Sequence, residues 1–72
     1  MDFIIQKIEI LQANPVMFSR GEVLSKYYLG YTVIDLGQYN QASGVWVLLE
    51  KDGNQIQIEF RGLAYIIHHI QD

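Results

Sequence analysis

Phe18-Ser19-Arg20-Gly21-Glu22-Val23-Leu24-Ser25-Lys26-Tyr27-Tyr28-Leu29-Gly30 is the stretch on which the fold class turns. Ser19 and Glu22 have the spacing of a capping box, in which the hydroxyl satisfies the N3 amide and the carboxylate reaches back to the cap. Phe18 and Val23 fall at the N′ and N4 positions of a hydrophobic staple, so a second device agrees. Val23, Leu24, Tyr27 and Tyr28 share one helical face, and Gly30 can supply the left-handed residue that closes a helix. The stretch predicts a helix that starts at Ser19 and ends near Leu29.

C-terminal to Gly30 the period changes from helical to β. Tyr31 to Leu36 is aromatic and β-branched and stops at Gly37, and Gln38 to Gly44 reads as a loop. Val45–Glu50 and Gln55–Phe60 flank Lys51-Asp52-Gly53-Asn54. An Asp-Gly pair between β runs is a strong hairpin signal, because both central turn positions need φ > 0. A two-residue turn at Asp52-Gly53 pairs Leu49 with Ile56, Val47 with Ile58 and Val45 with Phe60, all apolar and all on one face. The other face then carries Trp46 opposite Glu59 and Leu48 opposite Gln57. A one-residue slip would set Val47 against Gln57, so turn chemistry and patterning specify the same register.

N-terminal to the opening stretch, Ile4, Ile8 and Leu11 recur at spacings of four and three, with Ile5 beside them. Asp2 can cap this segment and Asn14-Pro15 can stop it, so residues 3–13 predict a second helix. Strict alternation fails at Ile4-Ile5 and Ile10-Leu11, which weighs against the competing edge strand. In the tail, Leu63, Ile66, Ile67 and Ile70 share one helical face after Gly62. A third helix is expected there, with a fourth strand as its rival.

Together these elements predict one α+β domain over residues 1–72. It comprises a three-stranded antiparallel β-meander with two N-terminal helices and one C-terminal helix, packed on the Val45/Val47/Ile58/Phe60 face. A small SH3-like or winged-helix-like domain is the alternative arrangement.

Composition limits the functions. The chain has 72 residues, no cysteine, 50% apolar and 18% charged residues, and a net charge of −3. Soluble domains average about 25% charged residues. A domain this short rarely gains more than about 3–5 kcal/mol from one core unless something staples it. Without cysteine there are no disulfides and no Cys-based metal site. No run of about 18 apolar residues marks a membrane span, and Met1-Asp2-Phe3 lacks the basic start of a secretory signal. A cytoplasmic protein is therefore the expectation. The five basic residues are scattered among eight acids, which disfavours nucleic-acid binding, since that affinity comes from clustered Lys and Arg. If such binding occurs, Arg20, Lys26, Tyr39 and Trp46 would be the contacts.

Catalytic motifs are absent, as are phosphate-binding loops. His68 and His69 are adjacent, whereas helical metal ligands need spacings of three or four. They read as histidines near a helix C-terminus, with Asp72 close enough to pair with either. No enzyme, cofactor, metal or small-molecule substrate is inferred. Trp46 and Leu48 point away from the apolar hairpin face, among Glu59 and Gln57, and Tyr39 lies in an amide-rich loop. An apolar centre with a polar rim is the anatomy of a protein interface. Trp46, Leu48, Tyr39, Gln57 and Glu59 are the candidate partner-binding residues. The expected function is a protein-interaction module, an adaptor, regulator or inhibitor that also self-associates.

Overall fold

The computed structural model describes residues 3–40 and 44–71. Asp2, Gln41 to Ser43 and Asp72, to which the sequence assigns a helix cap, part of a loop and a histidine partner, lie outside them. The described chain is all-β: β1 (Phe3–Leu11), β2 (Val16–Ser19), β3 (Thr32–Gln38), β4 (Val45–Lys51), β5 (Asn54–Phe60) and β6 (Ala64–Gln71). They form two three-stranded antiparallel sheets, ordered β2-β1-β6 and β3-β4-β5. The expected α+β class is thus overturned, because all three expected helical segments are extended or irregular. No helix among the described residues is long and apolar enough to cross a membrane.

Each correction has a local cause. The alternation of residues 3–13 breaks at Ile4-Ile5 because the pairing of β1 with β6 shifts register between Ile5 and Lys7. A β-bulge adds one residue, so the same apolar face is met out of phase on either side of it. Beyond it, Ile8 and Ile10 point into the core while Lys7 and Glu9 alternate outward. Asn14-Pro15 lies in the connection to β2, which folds back to set Val16 opposite Ile10 and Phe18 opposite Ile8. In the tail, Tyr65 and Ile67 face Ile10 and Ile8, whereas Ile66 and His68 fall on the other side. Isoleucines favour this pleated, half-covered surface over a helix.

The capping-box stretch fails as a helix at Gly21, whose φ of +89° is outside the right-handed helical region. Half of the expected cap exists in another setting. The Ser19 amide donates to Glu22 Oε1 at 3.1 Å and the Glu22 amide donates to the Ser19 carbonyl at 2.9 Å. The same three-residue spacing closes a β-turn, with glycine at its third position. The chain then runs against the start of β3: Gly21 N–H donates to Val33 O, and Val33 N–H to Glu22 O.

The meander registers differently from the two terminal strands. β4 and β5 pair Leu49 with Ile56, Val47 with Ile58 and Val45 with Phe60, around a turn with Asp52 at φ 52° and Gly53 at φ 83°. The core joins both sheets: Ile8, Ile10 and Phe18 from one, and Val33, Leu36, Val45, Val47 and Leu49 from the other, with Leu24 between. Phe18 and Phe60 meet across it with ring centroids 5.4 Å apart.

Arg20 clamps the two sheets at their irregular points. β3 also carries a register shift, between Val33 and Asp35. Bulges leave backbone groups without ladder partners, and Arg20 takes up several. Its Nε and Nη2 donate to the Ile5 carbonyl at 3.1 and 2.9 Å, and its amide donates to Gln6 O at 2.8 Å. Across the core, Nη1 donates to Asp35 Oδ1 at 3.0 Å and reaches Ile34 O at 3.5 Å.

Candidate interaction surfaces

Four of the five residues singled out for partner binding stand on the outer face of the β3-β4-β5 sheet in two cross-strand pairs. Trp46 lies opposite Glu59, and Leu48 opposite Gln57. On its other side Trp46 faces Gly37. A Cβ at Gly37 would lie 2.2 Å from Trp46 Cε2 and Cζ2, so the indole rests on the bare glycine backbone. An aromatic ring laid over a strand glycine restores packing that the glycine cannot provide. Trp46 and Leu48 are both half-buried, and the indole has a structural task beside any role in recognition.

Tyr39 joins the group from the end of β3. The Arg61 guanidinium carbon sits 4.2 Å from its ring centroid, a cation–π contact. Arg61 Nε also approaches Glu59 Oε1 at 3.4 Å, both side chains being about half exposed. The Tyr39 hydroxyl oxygen is shut off from solvent and makes no well-aligned hydrogen bond among the described residues. It faces Glu59 and Gln57: burial first, then the Glu59 carboxylate, pushes its ionisation up, against opposing contributions from Gln57 and Arg61. Glu59 responds the other way, held low by Tyr39 first and Arg61 second. Arg61 and Gly37 belong to this face, and sequence reasoning missed both. The Glu59-x-Arg61 spacing, which puts both side chains on one side of an extended chain, could have found the first.

A second surface comes from the stretch expected to be helical. Val23, Tyr27 and Leu29 are 60%, 74% and 64% exposed, and Tyr28 is exposed beside them. They crown a knuckle fastened by backbone bonds: Leu24 N–H to Tyr31 O at 2.8 Å, Gly30 N–H to Leu24 O at 2.9 Å and Tyr31 N–H to Tyr28 O at 3.0 Å. Tyr28 takes φ 55° and Gly30 φ 87°. A tyrosine in the left-handed region is strained and persists only where its surroundings impose it. Its ring packs edge-on against Tyr31, centroids 6.2 Å apart, while buried Leu24 anchors the knuckle below. Beside it is a cavity of about 190 Å³ floored by Val16, Phe18 and Leu24 and rimmed by Glu22, Lys26 and Tyr27. Reading these residues as a capped helix assigned their apolar side chains to a core and hid the surface.

Of the residues named for nucleic-acid contact, Arg20, Tyr39 and Trp46 have contacts within the fold, and two further basic residues, Arg61 and Lys51, lie against aromatic rings. The Arg20 guanidinium is spent between the sheets, Arg61 on Tyr39 and Glu59, and Lys51 lies 5.9 Å from the Tyr31 ring. Lys26 is on the knuckle. His68 and His69 occupy successive strand positions and so project to opposite faces. The His68 Nε2 is buried without a hydrogen-bond partner among the described residues, whereas His69 is engaged. Comparison with family models, with curated proteins and with solved structures finds no match to this chain.

Proposed function

We propose that the protein is a non-catalytic protein–protein interaction module, a small adaptor, regulator or inhibitor that also self-associates. The observation that carries this reading is the knuckle: four large apolar side chains, Val23, Tyr27, Tyr28 and Leu29, exposed within seven residues on a fastened backbone. Contiguous apolar surface on a small domain marks a contact site. Tyrosine anchors held in place lose little conformational freedom on binding. Trp46, Leu48, Tyr39, Gln57 and Glu59, with Arg61, supply a second, more polar contact face. A cytoplasmic setting goes with this reading, since small secreted domains ordinarily offset a thin core with disulfides and this chain has no cysteine.

The test is cross-linking in cells of origin, followed by identification of bound proteins, with three baits. These are the wild type, a Tyr27→Ser/Leu29→Ser double variant and Leu48→Lys. All three positions are solvent-accessible to some degree, so melting temperatures should stay close to wild type. A protein partner lost by the knuckle variant supports the function. Identical sets of bound proteins from all three baits overturn it.

A further inference from the structure

Two sheets of three strands leave four edges, and they are not equivalent. β2 is four residues long and ends in the Ser19–Glu22 turn. The edge of β3 is occupied at its start by Gly21 to Leu24 and interrupted by its register shift, where Arg20 approaches the Ile34 carbonyl. β6 has eight residues. Laid antiparallel in full overlap on a second β6, it would oppose Ile67 to His68, which project to opposite faces and so cannot share a cross-strand position. β5 differs from β6 in that its odd length sets like-facing residues opposite one another in full overlap, and from β2 and β3 in being neither short nor interrupted. Its seven residues pair with β4 without a register shift, and it holds no proline, no lysine and no inward charge. Those are the devices that ordinarily blunt an edge.

The hairpin turn determines which backbone groups this edge offers. In a two-residue turn the flanking pair, here Lys51 and Asn54, exchanges both hydrogen bonds. By alternation Ile56, Ile58 and Phe60 spend their amides and carbonyls on β4, while Gln55, Gln57 and Glu59 direct theirs outward. On the core side, Ile56, Ile58 and Phe60 remain half-buried although their partners Leu49, Val47 and Val45 are fully buried. The core is thus incompletely covered along β5.

We propose that β5 pairs antiparallel with β5 of a second copy about a two-fold axis at Gln57, joining two β3-β4-β5 sheets into one of six strands. The inference rests on the self-association included in the function above and supplies its geometry. Full overlap of Asn54–Phe60 with itself places the axis at the fourth residue, Gln57. Gln57 then meets Gln57, Gln55 meets Glu59 and Ile56 meets Ile58, so outward-bonding residues meet outward-bonding residues throughout. The amide of Gln55 faces the carboxylate of Glu59, and no like charges oppose one another. An axis at Glu59 would set two carboxylates face to face, which disfavours it. An axis at Ile58 would draw in Arg61, which lies beyond the strand and is already held by Glu59 and Tyr39. The outer faces of the two copies, with their Gln57 and Glu59 side chains, become one continuous surface.

Charge substitutions test the pairing by sign. Gln55 and Gln57 are exposed, so lysine at either leaves the fold intact, as circular dichroism and melting should verify. Gln57→Lys opposes two ammonium groups and should weaken the dimer roughly fivefold, while Gln55→Lys meets Glu59 of the second copy and should tighten it several-fold. Sedimentation equilibrium measures both. In a chain without cysteine, Gln57→Cys should couple to itself through a short bis-maleimide; Gln55→Cys alone should not, but should couple when mixed with Glu59→Cys, because opposed pairs lie close and Gln55 lies far from its own copy. A wild type that stays monomeric near 1 mM overturns the proposal. So does a dimer indifferent to both lysines, or one that responds with reversed signs. A monomeric chain that still loses a partner through Tyr27→Ser/Leu29→Ser defeats this pairing and leaves the interaction function standing. A dimer of the expected signs whose baits bind identical proteins does the reverse.

Discussion

The β3-β4-β5 sheet and the β2-β1-β6 sheet share one core yet are stitched by opposite means. In the first, each strand follows its neighbour in sequence, and β4 and β5 are joined by the two residues Asp52-Gly53. In the second, the central strand β1 pairs along its length with β6, so Phe3 meets Gln71 and Ile8 meets Ile67. Closing that pair orders nearly the entire chain between. The meander can therefore form on its own local contacts; β1 and β2 are also neighbours in sequence, but the β1–β6 pair depends on the intervening chain to bring its strands together.

Removing a core side chain from each sheet is the strongest way to break this comparison. Ile8 is fully buried between Phe18 and Ile67, and Ile8→Ala should cost about 2–5 kcal/mol. That is comparable to the whole stability of a domain this small, so urea titration should find it largely unfolded at 25 °C. The milder Ile8→Val, at about 0.5–1.5 kcal/mol, permits kinetics beside Val47→Ala. If the meander leads, Val47→Ala slows folding whereas Ile8→Val mainly speeds unfolding. Equal fractional effects would mean that both sheets form together.

Arg20 is the point at which the two sheets are tied, and its loss should come next. Arg20→Ala leaves the Ile5 carbonyl and Asp35 without their guanidinium partner. Partly buried groups stranded this way cost about 1–3 kcal/mol. Because the clamp spans both bulges, chemical denaturation should show lower stability, and hydrogen exchange should show protection lost at both β1 and β3. Loss confined to one strand would make Arg20 a local brace.

What could be seen in the sequence follows the same division. The β4–β5 register was legible because Asp52-Gly53 demands one turn geometry and the alternating pattern agrees with it. The opposition of Trp46 to Glu59 and of Leu48 to Gln57 follows directly. The Trp46–Gly37 contact was not legible, since it depends on a register altered by the irregularity between Val33 and Asp35. β1 misled because its bulge sets Ile5 three residues from Ile8 on the same core-facing side, a helical spacing, while Ile4 and Leu11 of the expected stripe are exposed on the other side. β6 misled because Ile66 and Ile67, neighbours on a helical face, stand on opposite faces of a strand. Ser19 and Glu22 misled for a deeper reason: a capping box and a glycine turn share the same three-residue reach, and Gly21 decides between them by its φ.

Gly37 sharpens the comparison within the meander. Gly37→Ala forces the Trp46 indole off the backbone it covers and should cost about 1–3 kcal/mol. In a Trp46→Ala background the same methyl has room, so the penalty should shrink markedly, a non-additivity that thermal or urea melts of the four-variant cycle can measure. Full additivity would mean that the indole does not lie on Gly37.

The smallest effect concerns pH, at the rim of that same face. Burial, followed by the Glu59 carboxylate, raises the ionisation of Tyr39 above its ordinary value. The fold therefore favours the neutral phenol. Its contribution is complete below about pH 10, where an unfolded tyrosine titrates, and is lost as pH rises through the higher folded value. Glu59 is lowered, by Tyr39 first and then Arg61, so its contribution is present above the ordinary carboxylate range and is lost as pH falls through the depressed value. Tyr39 is only half-buried and Glu59 is exposed, so each effect is small. Tyr39→Phe should abolish the late-titrating tyrosinate absorbance at the alkaline end. Because Tyr39 is the larger cause of the Glu59 shift, the same variant should move the Glu59 titration, followed by NMR, back toward its ordinary range. A Glu59 titration that does not move would mean that Arg61 holds the carboxylate without help from Tyr39. The rim of this face would then be a single ion pair instead of a linked trio.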